Sequence, residues 1–563
     1  SGELIAVAYS GRIPHPPGYP LYMMIARGVS SFPFGDVALR VNLLSALCDA
    51  LAAGVLCLTV SRWARSLGAG ILAGGLFAFA PLVWSYAVVA EVFALNNLLV
   101  CGLFYVLVRY AEQPSVRWAS WASLLVGLGL SNHHTFVVYA APLALYVAWR
   151  GRDFLFRPRA LVMVLAAFLL GVLPYAYLPL AGAAPNPLTW GDHSDFSGIM
   201  HHVLRRDYGT FQLGAGEAVQ WGAGIRLQLV AESLFRNTLY VGFPVALFGW
   251  WSASLGSRTD RAIAGVMGAG FAAYLLMMAF LFNLAVSNPL LRGVEARFWQ
   301  MAAIPVFAWT GLGAQRLADS WAARAEGRRA GGWVLGVALL AVALQVGLHF
   351  RAVDQRGNFV VRDYAQLILA GLPPGAVLIL NSDLAVNTVR YLQAVEGFRR
   401  DVETIPLTWM QMRWYTERMR GARPEIEFPG WVLGLPGEPE QANTGSTYTL
   451  KDFFAGNLGS HEIFVYPGFG RDYASVIRPE YRTVPIGLAK QVLTREAAAG
   501  LDAVERRARA LERLQGFDAE RAEGYGAESW EFYAAQSYRR ARDRIGRMGT
   551  DPANRSDYPR HPR

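Results

Sequence analysis

At 563 residues the chain has room for more than one domain. Hydrophobic residues make up 53% and charged residues 17%, against roughly a quarter charged in soluble domains, which excludes a wholly soluble protein. The net charge of +10 does not point to nucleic acid, because many of the arginines sit in short loops between apolar runs, where they act as an orientation signal.

A membrane-spanning helix needs roughly 20 mostly apolar residues. Such runs are predicted near 39–60, 67–85, 90–108, 117–131, 134–149, 160–181, 234–255, 262–284, 298–316 and 331–349. The fourth and fifth are short, which fits a tilted or partly re-entrant course. Cys48, Cys57 and Cys101 fall inside these runs and read as packing residues, with no disulfide framework and no zinc spacing. The 17 Trp and 24 Tyr suit aromatic belts at the two membrane surfaces.

Alternate connections hold Arg62 and Arg65; Arg109 and Arg117; Arg150, Arg152, Arg157 and Arg159; Arg258 and Arg261; and Arg316, Arg324, Arg328 and Arg329. The intervening loops are poorer in basic residues, so the first set is cytoplasmic. Segment 1–38 and everything after His349 then face the other side, the periplasm of a bacterium or the lumen of a eukaryote. The expected localisation is a bacterial inner membrane with a periplasmic C-terminal domain. The chain opens at Ser1-Gly2-Glu3 without Met, and with a cytoplasmic native N-terminus the alternation predicts one more helix before it.

After Arg351 the pattern becomes that of a soluble protein. Ala376–Asn381 reads as a strand, Leu384–Ala394 as a helix and Val402–Pro406 as a strand, a βαβ-like unit. Glu462–Tyr466 is a further strand, and Pro429–Ser446 a loop rich in Gly and Pro. Asp383, at a strand end, reads as a helix cap. Arg495 to Met548 is helical, compatible with plain hairpins or a tetratricopeptide-like pair. The expected division is a transmembrane catalytic domain over 1–350, an extramembrane α/β domain over 351–490, a helical segment over 491–548 and a disordered tail over 549–563. The α/β domain is expected to position an acceptor.

The unusual polar residues all fall on the outer side. Segment 1–20 supplies Glu3, then His15 and Tyr19 within His15-Pro16-Pro17-Gly18-Tyr19-Pro20. The next outer loop leads into Glu91, with Asn96 and Asn97 just inside the span, and the third is Ser131-Asn132-His133-His134-Thr135. The fourth carries Trp190 and Asp192, then Arg205, and the fifth ends in Glu295 and Arg297. Each has a bland reading. Glu3 fits a solvated helix start, and the prolines a rigid turn. The histidines fit a loop cap; adjacent ones on a helix point about 100° apart, which disfavours shared ligation of one metal. Arg297 fits a headgroup anchor. Glu91 is harder to dismiss, since an acid at the edge of an apolar span is costly. Their convergence on one surface favours function.

That set suits transfer from a lipid-phosphate donor. Carboxylates (Glu3, Glu91, Asp192) serve as general-base candidates for an acceptor hydroxyl. Arg297 and Arg205, with His15, Tyr19, His133, His134, Trp190 and Glu295, are candidates for holding the substrate and its phosphate. No phosphate-cradling Gly-rich loop, Walker motif or Rossmann fingerprint is present. No metal site is predicted: Glu3, Asp192 and the histidines could hold a divalent ion, but no ligand spacing requires one.

The residues Ser1-Gly2-Glu3-Leu4-Ile5, His15-Pro16-Pro17-Gly18-Tyr19-Pro20, Arg40-Val41-Asn42-Leu43-Leu44 and Ala90-Glu91-Val92-Phe93 resemble a known family. So do Ser131-Asn132-His133-His134-Thr135, Leu188-Thr189-Trp190-Gly191-Asp192, Leu204 to Phe211, Ala296-Arg297-Phe298-Trp299-Gln300 and Asn381-Ser382-Asp383-Leu384. The family comprises multi-pass glycosyltransferases of the GT-C fold, long catalogued as a domain of unknown function. Its vertebrate member is a lumenal protein O-mannosyltransferase acting on plexin-type receptors. The resemblance implies an α-helical polytopic membrane protein with a GT-C-like transmembrane bundle, followed by the C-terminal α/β domain and helical tail. It implies a polyprenyl- or dolichyl-phosphate sugar as donor, mannose-like, and a protein hydroxyl as acceptor. It also implies an acidic catalytic residue in the first outer loop. There the family pattern reads Asp-Ser-Gly-Glu-Leu, and this chain begins at the Ser, so the resemblance leaves two candidates for the base, Glu3 and the Asp that precedes the Ser in the family pattern. The rival readings are a transferase acting on a glycan or lipid, and a non-enzymatic transporter or flippase, which would favour mid-bilayer charges and inverted repeats.

Overall fold

A computed structural model describes every residue except 1, 184–185, 211, 213–221, 325–329, 435–446 and 549–563. Phe211, most of the Gly/Pro-rich loop at 429–446 and the tail from Gly549 therefore lie outside the described residues. The chain divides into two compact units. One comprises Glu3–Ala181 and His193–Gly357, and the other Gly182–Asp192 and Asn358–Arg563 together with the single residue Gly2.

The first unit is helical. It begins with α1 (Gly2–Ser10), α2 (Pro20–Ser30), α3 (Val37–Ala64), α4 (Leu67–Phe79), α5 (Pro81–Ala87), α6 (Val92–Glu112), α7 (Val116–Asn132) and α8 (Val137–Arg150). The starts are written locally. Asp36, Ser66 and Ser115 each accept a backbone N–H three residues on, capping α3, α4 and α7. Pro81 prevents α4 from running on, and α4 and α5 meet at a bend of 59°.

Among the described residues five helices are long and apolar enough to cross a membrane: Val37–Ala64, Val92–Glu112, Pro158–Gly182, Arg258–Leu281 and Gly332–Val353; the bent pair α4 and α5 passes the same test when taken together, as a broken span or a re-entrant loop. Their surroundings differ. Only 11% of the apolar window of Pro158–Gly182 is buried in protein, against 78% for α6, so the first is solvated by lipid and α6 is a core helix. The remaining predicted spans are helical but fall short of that test. α7, α8 and Gly242–Ser254 are too short. The Pro289–Arg324 helix is long but carries Glu295, Arg297, Gln300 and Gln315. It tolerates these polar residues because other helices, rather than lipid, cover most of 295–315.

Two features of that helix matter for the site. Pro305 has no N–H to give to the carbonyl of Met301 four residues back, and the Tyr139 hydroxyl from α8 donates to that carbonyl instead, at 2.8 Å. Glu295 is fully buried beside Arg226 of the Ala223–Asn237 helix, whose Nε donates to both carboxylate oxygens at 2.8 and 3.1 Å. The guanidinium also donates to the carbonyl of Leu284 at 2.9 Å.

The second unit is built on a five-stranded sheet. Its strands are β1 (Val377–Leu380), β2 (Glu403–Pro406), β5 (Ile463–Tyr466), β6 (Tyr481–Pro485) and β7 (Lys490–Thr494), in the order β2-β1-β5-β7-β6. A separate pair, β3 (Val432–Leu433) and β4 (Thr447–Tyr448), lies between β2 and β5 in the chain. β1 runs parallel to β2 and β5, while β7 pairs antiparallel with β5 and β6. All four residues of β1 and of β5 are buried, as expected for parallel strands covered on both faces. The crossover from β1 to β2 is the helix Asp383–Tyr391, extended by a wider turn at Leu392–Glu396. Beyond β7 the chain is helical at Arg495–Ala499, Ala503–Glu512, Ala519–Glu523 and Trp530–Gly546.

Segment 182–192 belongs to this unit although it lies nearly 200 residues upstream of the sheet. Arg390 donates to the carbonyl of Leu188 at 2.7 Å, and Arg418 to the carbonyls of Thr189 and Gly191. The Trp190 ring packs edge-on against Trp409 at 4.9 Å, with Trp414 at 6.2 Å.

The buried Arg226–Glu295 pair carries a stability prediction. Glu295→Leu leaves a guanidinium unpaired in a dry interior and should cost about 3–5 kcal/mol. The thermal midpoint of the detergent-solubilised protein should fall accordingly. An Arg226→Leu/Glu295→Leu double variant should recover most of the loss.

Candidate active site

The site is assembled in the first unit from the start of the chain and the ends of α6, α7 and the Pro289–Arg324 helix. α1 presents Glu3, and the turn after it returns His15 onto the same carboxylate. The backbone N–H of His15 donates to Glu3 Oε1 at 2.8 Å, and its Nδ1 lies 2.6 Å from Oε2. The other ring nitrogen, Nε2, is 3.0 Å from the Tyr19 hydroxyl. Glu3, His15 and Tyr19 thus form a continuous hydrogen-bonded chain.

The turn between them follows from its residues. Pro16 and Pro17 fix φ, Gly18 sits at φ +88° and Tyr19 at φ +44°. Left-handed backbone is ordinary for glycine and strained for tyrosine. A Cβ on Gly18 would also stand 3.0 Å from both His202 Nε2 and Leu178 Cδ2. Pro20 then opens α2 at a position where a missing N–H costs nothing. The strained Tyr19 is held by its ring, which stacks on His133 with centroids 5.8 Å apart.

His133 ends α7 in an extended conformation. Its Nδ1 accepts the backbone N–H of Thr135 at 3.3 Å and lies 2.7 Å from the Thr135 hydroxyl. The accepted N–H puts the imidazole proton on Nε2. Phe93 and Phe298 pack on the same ring at 5.2 and 5.8 Å. His134 points elsewhere, its Nε2 3.2 Å from the hydroxyl of Tyr175, which itself donates to the carbonyl of Leu130.

Glu91 is the residue before α6, where an acid would ordinarily cap the helix, yet its side chain makes no capping bond. It turns to Arg297, with Nη1 to Oε1 at 3.0 Å. The guanidinium stands near the Phe93 and Phe298 rings, at 5.9 and 6.0 Å. Arg297 remains 30% exposed, so it can still meet a ligand.

Electrostatics ties these groups together. Burial raises the Tyr19 hydroxyl to about 12; Arg205 and Arg297 pull it down, and Glu3 and Glu91 push it further up. Burial holds His133 well below the usual imidazole range, reinforced by His134, Arg205, Arg297 and His15. Glu3, His15, Tyr19, Glu91, His133, His134, Arg205 and Arg297 therefore share one neighbourhood.

The other predicted site residues are placed differently. Glu295 is committed to Arg226 and is fully buried. Trp190 and Asp192 lie in the second unit, where Trp190 packs on Trp409. Sequence reasoning passed over Arg226, Tyr175 and Ser45. Arg226 sits in a mixed stretch with Gln228 and Glu232 and carries no local signal, and nothing in the sequence pairs it with Glu295 at a distance of 69 positions. No group of three or more His, Cys, Asp or Glu that could hold a metal occurs among the described residues.

Known proteins add an independent view. Residues 1–154 match the family described as the protein O-mannosyl-transferase TMEM260 N-terminal domain, and residues 361–426 match TMEM260-associated domain 2. The chain is 35% identical over 446 residues to protein O-mannosyl-transferase TMEM260 of Mus musculus, covering 76% of this chain and 62% of that protein. It is 27% identical over 533 residues to the Dictyostelium discoideum protein of the same name, covering 88% of this chain and 64% of that one. The chain thus spans less than two thirds of the length of these relatives. Among solved structures it resembles ArnT from Cupriavidus metallidurans. The undecaprenyl-phosphate complex aligns with a TM-score of 0.51 at 15% identity over 87% of this chain and 92% of that one. The apo form gives 0.52 at 14% identity, over 89% and 94%. The resemblance read from the motifs is borne out, and the fold is that of a GT-C-type integral membrane protein.

His133 generates a pH prediction. Its folded pKa lies below its unfolded value, so the unfolded chain binds the extra proton and stability falls as pH drops through about 6.5. The thermal midpoint should decline less between pH 7.5 and pH 5.5 in His133→Phe than in the wild type. Equal declines would show that His133 does not contribute.

Proposed function

We propose that the protein is a membrane glycosyltransferase that moves a mannose-like sugar from a polyprenyl- or dolichyl-phosphate to a protein hydroxyl. The observation that carries the reading is the Glu91–Arg297 pair standing in one electrostatic neighbourhood with the Glu3–His15–Tyr19 chain. The name of the relatives, protein O-mannosyl-transferase, supports the sugar and the acceptor class. The undecaprenyl phosphate bound by ArnT supports the donor class.

In this reading the acceptor oxygen forms a bond to the anomeric carbon while the bond from that carbon to the phosphate oxygen breaks. The leaving phosphate keeps the bonding electrons and gains negative charge. Arg297 faces that charge, and Glu91 fixes the direction of the guanidinium, so the cation is in place before charge develops. Glu3 takes the proton of the acceptor hydroxyl, with His15 and Tyr19 holding the carboxylate in a fixed orientation. His133, buried between Tyr19, Phe93 and Phe298, holds the Tyr19 ring in place behind the Glu3–His15 pair. We assign no chemical step to Asp192, Trp190 or Glu295.

The site opens to the periplasm of a bacterial inner membrane, following the arginine-rich loops on the opposite side. The lipid donor then reaches it from within the bilayer. The sheet-containing second unit presents the acceptor.

The test is transfer of label from polyprenyl-phosphate mannose by the reconstituted protein. Arg297→Ala and Glu91→Gln should each lower turnover by roughly 100-fold or more, with the thermal midpoint little changed. Labelling of a glycan or lipid but not a peptide would move the acceptor to another class. No transfer from any polyprenyl-phosphate sugar would sink the enzyme reading.

A further inference from the structure

Beneath the site, three buried polar side chains from three helices meet: Asp49 of α3, Asn97 of α6 and Gln300 of the Pro289–Arg324 helix. Asn97 Nδ2 donates to Asp49 Oδ1 and to Gln300 Oε1, both at 2.9 Å. Gln300 Nε2 donates to the backbone carbonyl of Arg297 at 3.0 Å. One turn before Asp49 on α3, the Ser45 hydroxyl accepts the N–H of Glu91 at 3.3 Å and lies 3.4 Å from its carbonyl.

α3 therefore reaches both members of the Glu91–Arg297 pair. It touches Glu91 directly through Ser45, and Arg297 through Asp49, Asn97 and Gln300. Pro305 removes the helical donor to the carbonyl of Met301, one turn after Arg297, which then needs a partner from elsewhere. Side chains from other helices supply it. Tyr139 donates to the Met301 carbonyl at 2.8 Å, Tyr274 to the Phe298 carbonyl at 2.8 Å, and Asn96 to the Met301 sulfur at 2.7 Å. Such polar groups are expensive inside a membrane bundle unless paired. Simple adhesion between helices would not require the chain of bonds to end on the backbone of Arg297.

We propose that Asn97, together with Asp49 and Gln300, is a positioning residue that sets the height and rotation of Arg297 against Glu91 for binding a lipid-linked phosphate. This rests on the function proposed above. Asn97 touches neither substrate nor reacting atoms; it acts through the turn at 297–301.

The experiment measures binding of undecaprenyl phosphate to the detergent-solubilised full chain, and sugar transfer after reconstitution. The variants are Asn97→Leu, Gln300→Met, Arg297→Lys and the two doubles with Arg297→Lys. Each cluster variant should weaken phosphate binding about tenfold with a near wild-type thermal midpoint. Each double should bind no worse than Arg297→Lys alone, because the cluster acts only through that side chain. Additive losses, or unchanged binding in both cluster variants, would overturn the proposal. So would failure of both to accumulate as folded protein, which makes the cluster a folding element. A wild type that binds phosphate but transfers no sugar removes the enzyme reading and leaves the binding cycle to decide the positioning role. A wild type that transfers sugar, with an additive cycle, removes the positioning role alone. A wild type that binds no undecaprenyl phosphate overturns both.

Discussion

Arg297 brings a full charge to a helix whose following residues are buried in an apolar bundle, and Glu91 meets it at 3.0 Å. Arg297 keeps 30% of its side chain exposed and Glu91 13%, so the pair aims the guanidinium rather than neutralising a sealed charge. Much of the surrounding architecture accommodates this pair. Glu91 forgoes capping its own helix, Phe93 and Phe298 wall the guanidinium, and Ser45 and Gln300 hold the two backbones. A charge held this firmly has little rearranging left to do when it meets an anion, which is what preorganisation means for a binding group.

The arrangement also explains why the helix at its centre is polar as well as long. A helix facing lipid must be apolar over most of its surface, as Pro158–Gly182 is, and the one amide of Gly332–Val353, Gln345, is buried and donates to the carbonyls of Leu76 and Asn237. One surrounded by other helices can carry amides, provided each finds a partner. Pro305 fits the same logic. It opens one carbonyl in a helix, and Tyr139 turns the vacancy into a contact with α8.

Much of this could be read from the chain. Hydrophobic runs marked where the major helices lie, because length and apolarity are local properties. The loop arginines gave a sidedness, and the sidedness drew attention to Glu3, His15, Tyr19, Glu91, His133, His134, Arg205 and Arg297, which lie together in the first unit. β1, β2, β5 and the crossover helix were legible from alternation and from the apolar run at 376–381. What stayed hidden was pairing across distance. Nothing local distinguishes Glu295, neutralised by Arg226, from Arg297 two residues later, which remains partly exposed. Trp190 reads as a site aromatic until Trp409 and Trp414 appear beside it. The short runs at 117–131 and 134–149 were legible as such, and the break at His133 between α7 and α8 is where the sequence put it.

Segment 182–192 leaves the bundle, joins the sheet-bearing unit and then returns the chain to the helices at His193. During synthesis this strip emerges long before Arg390 and Arg418 exist to satisfy the carbonyls of Leu188, Thr189 and Gly191. The second unit is therefore discontinuous, and its assembly has a built-in order: the strip is made early and waits, and the sheet closes on it last.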